Sequence, residues 1–145
     1  MEIYTIGFTK KRAEAFFGAL RHAGIGCVLD VRLNNTSQLA GFTRREDLPF
    51  FLRELCGADY LHEPLLSPTD NLLRRYRRRE IDWPEYEKRF LELMQERAIE
   101  SHLTLELFAT PTALLCSEPT AVQCHRRLVL EYLGEKWGSL SAIHL

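Results

Sequence analysis

The sequence predicts one α/β domain with a mostly parallel sheet of about five strands flanked by helices. Three observations lead there. Short apolar, β-branched runs alternate with helix-patterned stretches along the chain. The 145 residues suffice for one compact domain with its own core and fall short of two. No repeat, low-complexity segment or linker breaks the alternation, so residues 1–145 are expected to form a single domain.

The elements follow in order. "EIYTIG" (2–7) is short, β-branched and closed by a glycine, as a strand would be. In "TKKRAEAFFGALRHAG", Ala13, Phe16, Phe17 and Leu20 recur at helical spacing, with Thr9 as candidate N-cap and Gly24 just past the end. "IGCVLDVR" (25–32) is nearly continuous in apolar residues, the signature of a strand buried on both faces. Together they make a βαβ unit, which implies a parallel pair with a right-handed crossover. "LNNTSQLAGFTRRED" (33–47) is polar and long for a connection, and loops of that length are often functional.

"DLPFFLRELCG" sets Leu48, Phe51, Leu52 and Leu55 on one helical face, with Gly57 as a stop, and "DYLHEP" is a short strand. "DWPEYEKRFLELMQERA" opens with a capping box, Asp82 and Glu85, and carries Trp83, Tyr86, Phe90 and Met94 as its stripe. "LTLELFATP" is a short helix and "TALLCSE" a strand. "TAVQCHRRLVLEYLG" is a helix with a Thr120/Gln123 capping box, and "SAIHL" is the last strand.

Composition excludes several classes. A hydrophobic share of 46% with 27% charged residues is globular, and no apolar run approaches the ~18 residues of a membrane span. With no signal-peptide pattern after Met1, a cytoplasmic protein is expected. Four cysteines at 27, 56, 116 and 124, without C-x-x-C, should be reduced there and do not suggest a disulfide scaffold. The net charge of −1 does not advertise nucleic-acid binding, but "RRYRRR" places five arginines between Arg74 and Arg79. Such a run is either a solvated face balanced by nearby acids or a phosphate-binding patch. P-loop, dinucleotide, nucleophile-elbow and zincin motifs are missing, so no cofactor is expected. Nothing in the sequence speaks to oligomeric state.

Ligands in open α/β sheets bind beyond the carboxyl ends of the strands. That rule gathers Gly7, Thr9, Asp30, Arg32, His62, Glu63 and Cys116 to Glu118 at one edge, beside the long loop. Asp30 and Arg32 lie two apart and share a face, as an ion pair or as two groups offered to a ligand. Between Cys116 and Arg127 lie two cysteines, a glutamate, a histidine and two arginines. Four uses of this stretch stay open. Cys116, Cys124 and His125 could hold a metal, but neighbours on a helix diverge by about 100°, so no metal is assigned. Cys124 near a helix start, close to His125, Arg126 and Arg127, could be a thiolate nucleophile. Glu118, with Asp30 opposite, could be a nucleophile or acid/base. Otherwise Cys116 and Cys124 are packing residues.

The blocks "YTIGFTKK", "LDVRLNNTSQLAGF" and "LLCSE…CHRRLVLEYL" resemble, in order and spacing, the Domain of Unknown Function 488 family, from about residue 2 to residue 145. Many members carry T-I-G-H-S in the first block, where this chain has Phe8 and Thr9, so a role for that histidine does not transfer. The resemblance implies an α/β fold, no established activity, and motif residues Gly7, Asp30, Arg32, Cys116, Glu118, Cys124, His125 and Arg126. The combined expectation is a nucleotide- or nucleic-acid-related enzyme with a phosphate-binding crevice. Arg32 and Arg126 would hold phosphate, Asn35 and Gln38 would offer amides, and Glu118 or Cys124 would do the chemistry with His125 as proton carrier. The alternative is a non-catalytic module binding nucleic acid or protein through the crevice and the Arg74–Arg79 patch, with structural cysteines.

Overall fold

The computed structural model describes residues 1–36, 41–118 and 121–145. Five strands, β1 (Glu2–Gly7), β2 (Cys27–Asp30), β3 (Asp59–His62), β4 (Thr112–Cys116) and β5 (Ser141–His144), form one sheet in the order β3-β2-β4-β1-β5. All four pairings are parallel. The α/β fold expected from the alternation is therefore the fold observed. β2 and β4 are buried at every position, as an interior parallel strand covered on both faces must be.

Two helices, α1 (Ala13–His22) and α2 (Leu48–Cys56), cover one face. Their Phe16, Phe17, Leu20, Leu48 and Leu52 pack on Ile6, Val28, Ala113 and Leu115. The other face carries α4 (Trp83–Arg97), α5 (Ile99–His102) and α6 (His125–Trp137), whose Phe90, Met94, Ile99 and Leu128 meet Ile3, Leu29 and Leu114. α3 (Asp70–Arg77) lies at the border of that layer, with Leu72 turned inward.

Several helix boundaries follow from local chemistry. Gly57, at φ 63°, stops α2 in the left-handed region, and the Asp82 side chain accepts the Glu85 backbone N–H at 3.0 Å to open α4. Arg74, Arg75 and Arg77 of the arginine run are helical because Thr69 caps α3 and Asp70 sits in its first turn while these arginines crowd its last; Arg78 and Arg79 follow its end. Three expectations are corrected. α1 begins at Ala13 after Arg12, so Thr9 caps nothing, and Ala13 itself is exposed. Leu55 is exposed on α2, outside the buried face that holds Leu48 and Leu52.

The third correction matters most. α6 starts at His125 with Cys124 as its N-cap, not at a Thr120/Gln123 box. Thr120 lies outside the described residues, and the Gln123 side chain accepts from Tyr76 Oη at 3.3 Å. Cys124 is extended, at φ −141° and ψ 140°, because its chain is drawn toward Cys116.

Candidate functional site

β4 sends its chain through α6 to one face of the sheet, whereas its neighbours β1 and β2 send theirs through α1 and α2 to the other. Chains leaving adjacent parallel strands toward opposite faces open a crevice at the strand ends. It falls at Gly7 and Cys116, which are register partners. Gly7 is obligatory there. A Cβ on it would run into the Glu118 carbonyl and come 2.7 Å from Arg126 Nη1. The segment after β4 therefore lies directly on Gly7, held also by the Thr9 N–H donating to the Ser117 carbonyl at 3.1 Å.

At the centre, the sulfurs of Cys116 and Cys124 meet as a disulfide between a strand end and a helix start. Both residues are about 2% exposed. Arg126 is fully buried beside them. Its Nε donates to Thr5 Oγ1 at 3.2 Å, and its Nη1 to the Glu118 carbonyl at 2.6 Å and toward Cys116 Sγ at 3.7 Å. Among the described residues no carboxylate pairs with it. Burial pulls its pKa down to about 10, against an opposing pull from the Glu118 charge. The same guanidinium adds to burial in lowering Lys11 and His144 below their ordinary ranges. The site is electropositive.

His125 is half-buried, and its Nε2 lies 2.8 Å from the Val31 carbonyl. A carbonyl only accepts, so Nε2 carries the hydrogen and Nδ1 presents a lone pair. Burial, reinforced by Arg126, lowers its pKa to about 4 although the Val31 bond and Asp30 act the other way. The ring is thus neutral near pH 7. One nitrogen of His125 and the two sulfurs all lie within 4.8 Å of one another. The 100° divergence expected of Cys124 and His125 does not apply, because Cys124 is not in helical conformation.

Asp30 and Arg32 form a buried ion pair, 0% and 3% exposed, with Arg32 Nε and Nη2 each 2.9 Å from a carboxylate oxygen. Tyr60 Oη donates to Asp30 at 2.6 Å, and Arg32 Nη2 donates to the Thr43 carbonyl at 2.6 Å. Phe8 lies under the Arg32 guanidinium at 5.3 Å. This corrects two expectations. Arg32 borders the crevice with its charge already matched, and Asp30 is too enclosed to serve Glu118 as an acid/base partner. The Asn35 amide donates to Tyr60 Oη at 3.2 Å, so it braces Asp30. Gln38 lies outside the described residues. His62 and Glu63 hold backbone groups of Arg32 and Leu65.

A small crevice of about 60 Å³ opens over the centre, lined by Arg32, Asn34, Arg77, Cys116, Glu118 and His125 among others. Glu118 is exposed on its rim. In the arginine run, Arg74 pairs with Asp70 and Arg75 with Glu80. Arg77, Arg78 and Arg79 are exposed and enter none of the ion pairs among the described residues. Thr5 and Tyr60 were not singled out from sequence, and Arg77 was read only as a member of the Arg74–Arg79 run. Thr5 stands two before Gly7, hence on the same face, and Tyr60 two before His62, which faces Asp30 in register. Those offsets were the available signals. Among the described residues no helix is long and apolar enough to cross a membrane.

No curated protein and no solved structure matches the chain. The family profile described as "Domain of unknown function DUF488" matches residues 12–133, which include the Asp30–Arg32 pair and the whole Cys116-to-Arg126 centre. By that match over most of its length, joined to the motif blocks that the fold brings to one crevice, the chain belongs to the DUF488 family.

Proposed function

We propose that this protein is a thiol-dependent enzyme acting on a phosphate-bearing ligand, a nucleotide or a nucleic-acid end, in the crevice beyond β4. The observation that carries this reading is Arg126, a fully buried guanidinium whose described partners are a hydroxyl, a carbonyl and a sulfur. A buried cation without a counter-charge is costly. Reduction of the disulfide makes Cys116 the missing anion. The helix start at Cys124 adds to the same potential.

In the reaction, the Cys116 thiolate attacks the electrophilic centre of the ligand and a sulfur–ligand bond forms. The bond from that centre to its leaving group breaks, the leaving group departing with the electron pair and taking a proton from the rim. Water then attacks the same centre and gives up its proton to solvent, with neutral His125 Nδ1 orienting it. The sulfur–ligand bond breaks and Cys116 is released as the thiolate. Arg77, exposed on the rim and in none of the ion pairs among the described residues, takes the phosphate-holding role first expected of Arg32. Glu118 remains on the rim as a proton carrier without Asp30.

The second reading, a nucleic-acid-binding module without turnover, draws on Arg77, Arg78 and Arg79. Binding of a short single-stranded oligonucleotide, with and without a 5′-phosphate, to the reduced protein at several salt concentrations separates the two. The enzyme reading expects the terminal phosphate to tighten binding about tenfold and to shield Cys116 from alkylation. Salt-steep binding that ignores the phosphate, leaves Cys116 reactive and disappears on replacing the three arginines supports the module. No binding to either probe rejects both.

A further inference from the structure

The geometry points to a soft-metal site: in the reduced protein, Cys116 Sγ, Cys124 Sγ and His125 Nδ1 bind one divalent zinc-like ion, and the fourth position opens to the crevice. This inference uses the thiols of the proposed function but needs neither its ligand nor its turnover. Three observations support it independently.

The donor atoms converge. Both sulfurs and a ring nitrogen lie within 4.8 Å of one another, close enough that small side-chain movements on reduction bring all three to the about 2.0–2.3 Å that zinc takes from nitrogen and sulfur ligands. The set is two thiolates and an imidazole, which selects zinc over magnesium or calcium. Second, the histidine is prepared. Its Nε2–H is given to the Val31 carbonyl at 2.8 Å, leaving Nδ1 as the nitrogen with a lone pair. A ligating imidazole commonly holds a carbonyl with its other nitrogen in this way.

Third, the backbone spacing suits an ion between the sulfurs. The two Cα atoms are 7.8 Å apart, wider than the 4.4–6.8 Å usual for bridged cysteines. An ion between two thiolates occupies that extra span. Three protein ligands with an open position facing a crevice is the arrangement of a zinc that receives a substrate atom. Arg126, beside Cys116, partly offsets the charge of two thiolates. The disulfide form has no thiolate to offer, so metal binding and disulfide formation exclude each other.

Cobalt(II) is the probe. Titrated anaerobically into reduced full-length protein, it should give thiolate-to-cobalt charge-transfer absorption and tetrahedral visible bands at one ion per chain, both displaced by zinc. Cys116→Ser, Cys124→Ser and His125→Gln should each lose the tetrahedral signature, whereas Cys27→Ser and Cys56→Ser should keep it. In the unaltered protein, zinc should shield Cys116 and Cys124 from alkylation and leave Cys27 and Cys56 unchanged, a test independent of how the variants fold. No charge-transfer band, or one that survives Cys124→Ser, overturns the site. A depressed Cys116 thiolate pKa in chelator-treated protein, found without cobalt binding, would reject the metal and leave the thiol reading standing.

Discussion

His125 shows how one hydrogen bond and one burial decide a residue's chemistry. In an unfolded chain its ring titrates near 6.5, and in the fold at about 4. Between those values the unfolded chain binds more protons, so stability falls as pH drops through about 6.5 and levels off near 4. The loss is on the order of 3 kcal/mol. His125→Gln should remove that part of the slope. Urea unfolding at about pH 4 and about pH 7 on both proteins measures the difference. Equal slopes would show that the ring is not held neutral. Polar residues such as Asp30, Arg32 and Arg126 were legible as a group at the strand ends. Their individual commitments were not, because sequence does not show that Tyr60 and Thr43 close around Asp30 and Arg32 while Arg126 meets a hydroxyl, a carbonyl and a sulfur among the described residues.

Among the elements, the connection from β4 to α6 organises the site, and Gly7 is its seat. Gly7→Ala places a methyl group against the Glu118 carbonyl, with the carbonyl carbon 2.6 Å away. Backbone must move, so the variant should lose at least about 2 kcal/mol, the range of severe packing clashes. It should also lose the Arg126–Glu118 hydrogen bond that anchors the segment. A thermal melt unchanged from the parent would contradict this seating. The strands and the four long amphipathic helices were readable from periodicity, and α3 was not, because its arginines hide the Leu72 contact and the Thr69 cap. The start of α6 was misplaced for a related reason. A capping-box pattern is local, and the approach of Cys124 to Cys116 across eight residues is a tertiary demand that overrides it.

For the whole molecule, the sheet order β3-β2-β4-β1-β5 inserts β4, a strand from late in the chain, between the two strands of the first βαβ unit. That insertion brings residues 7, 30, 116 and 126, separated by as much as most of the chain, to one edge. Strand-end reasoning predicted the edge without the strand order, because the C-terminal ends of parallel strands coincide whatever their sequence of pairing. It could not predict that β4 alone turns to the opposite face from both neighbours. That turn buries Arg126 beneath the crevice floor, and the buried charge makes the crevice a place for an anion. The net charge of −1 gives no hint of it.

The central claim is that Arg126 makes Cys116 a thiolate. Ultraviolet thiolate absorbance of the reduced, metal-free protein, followed against pH, tests it most directly. Burial pushes the Cys27 and Cys56 thiols up, aided at Cys27 by Asp59 and opposed at Cys56 by Arg21, so their steps come late. The account predicts an early step of at least one thiol, well below the ~8.5 of a free cysteine, that shifts upward in Arg126→Met and partly returns in Arg126→Lys. All four thiols titrating at or above ~8.5, with no response to Arg126, would contradict it.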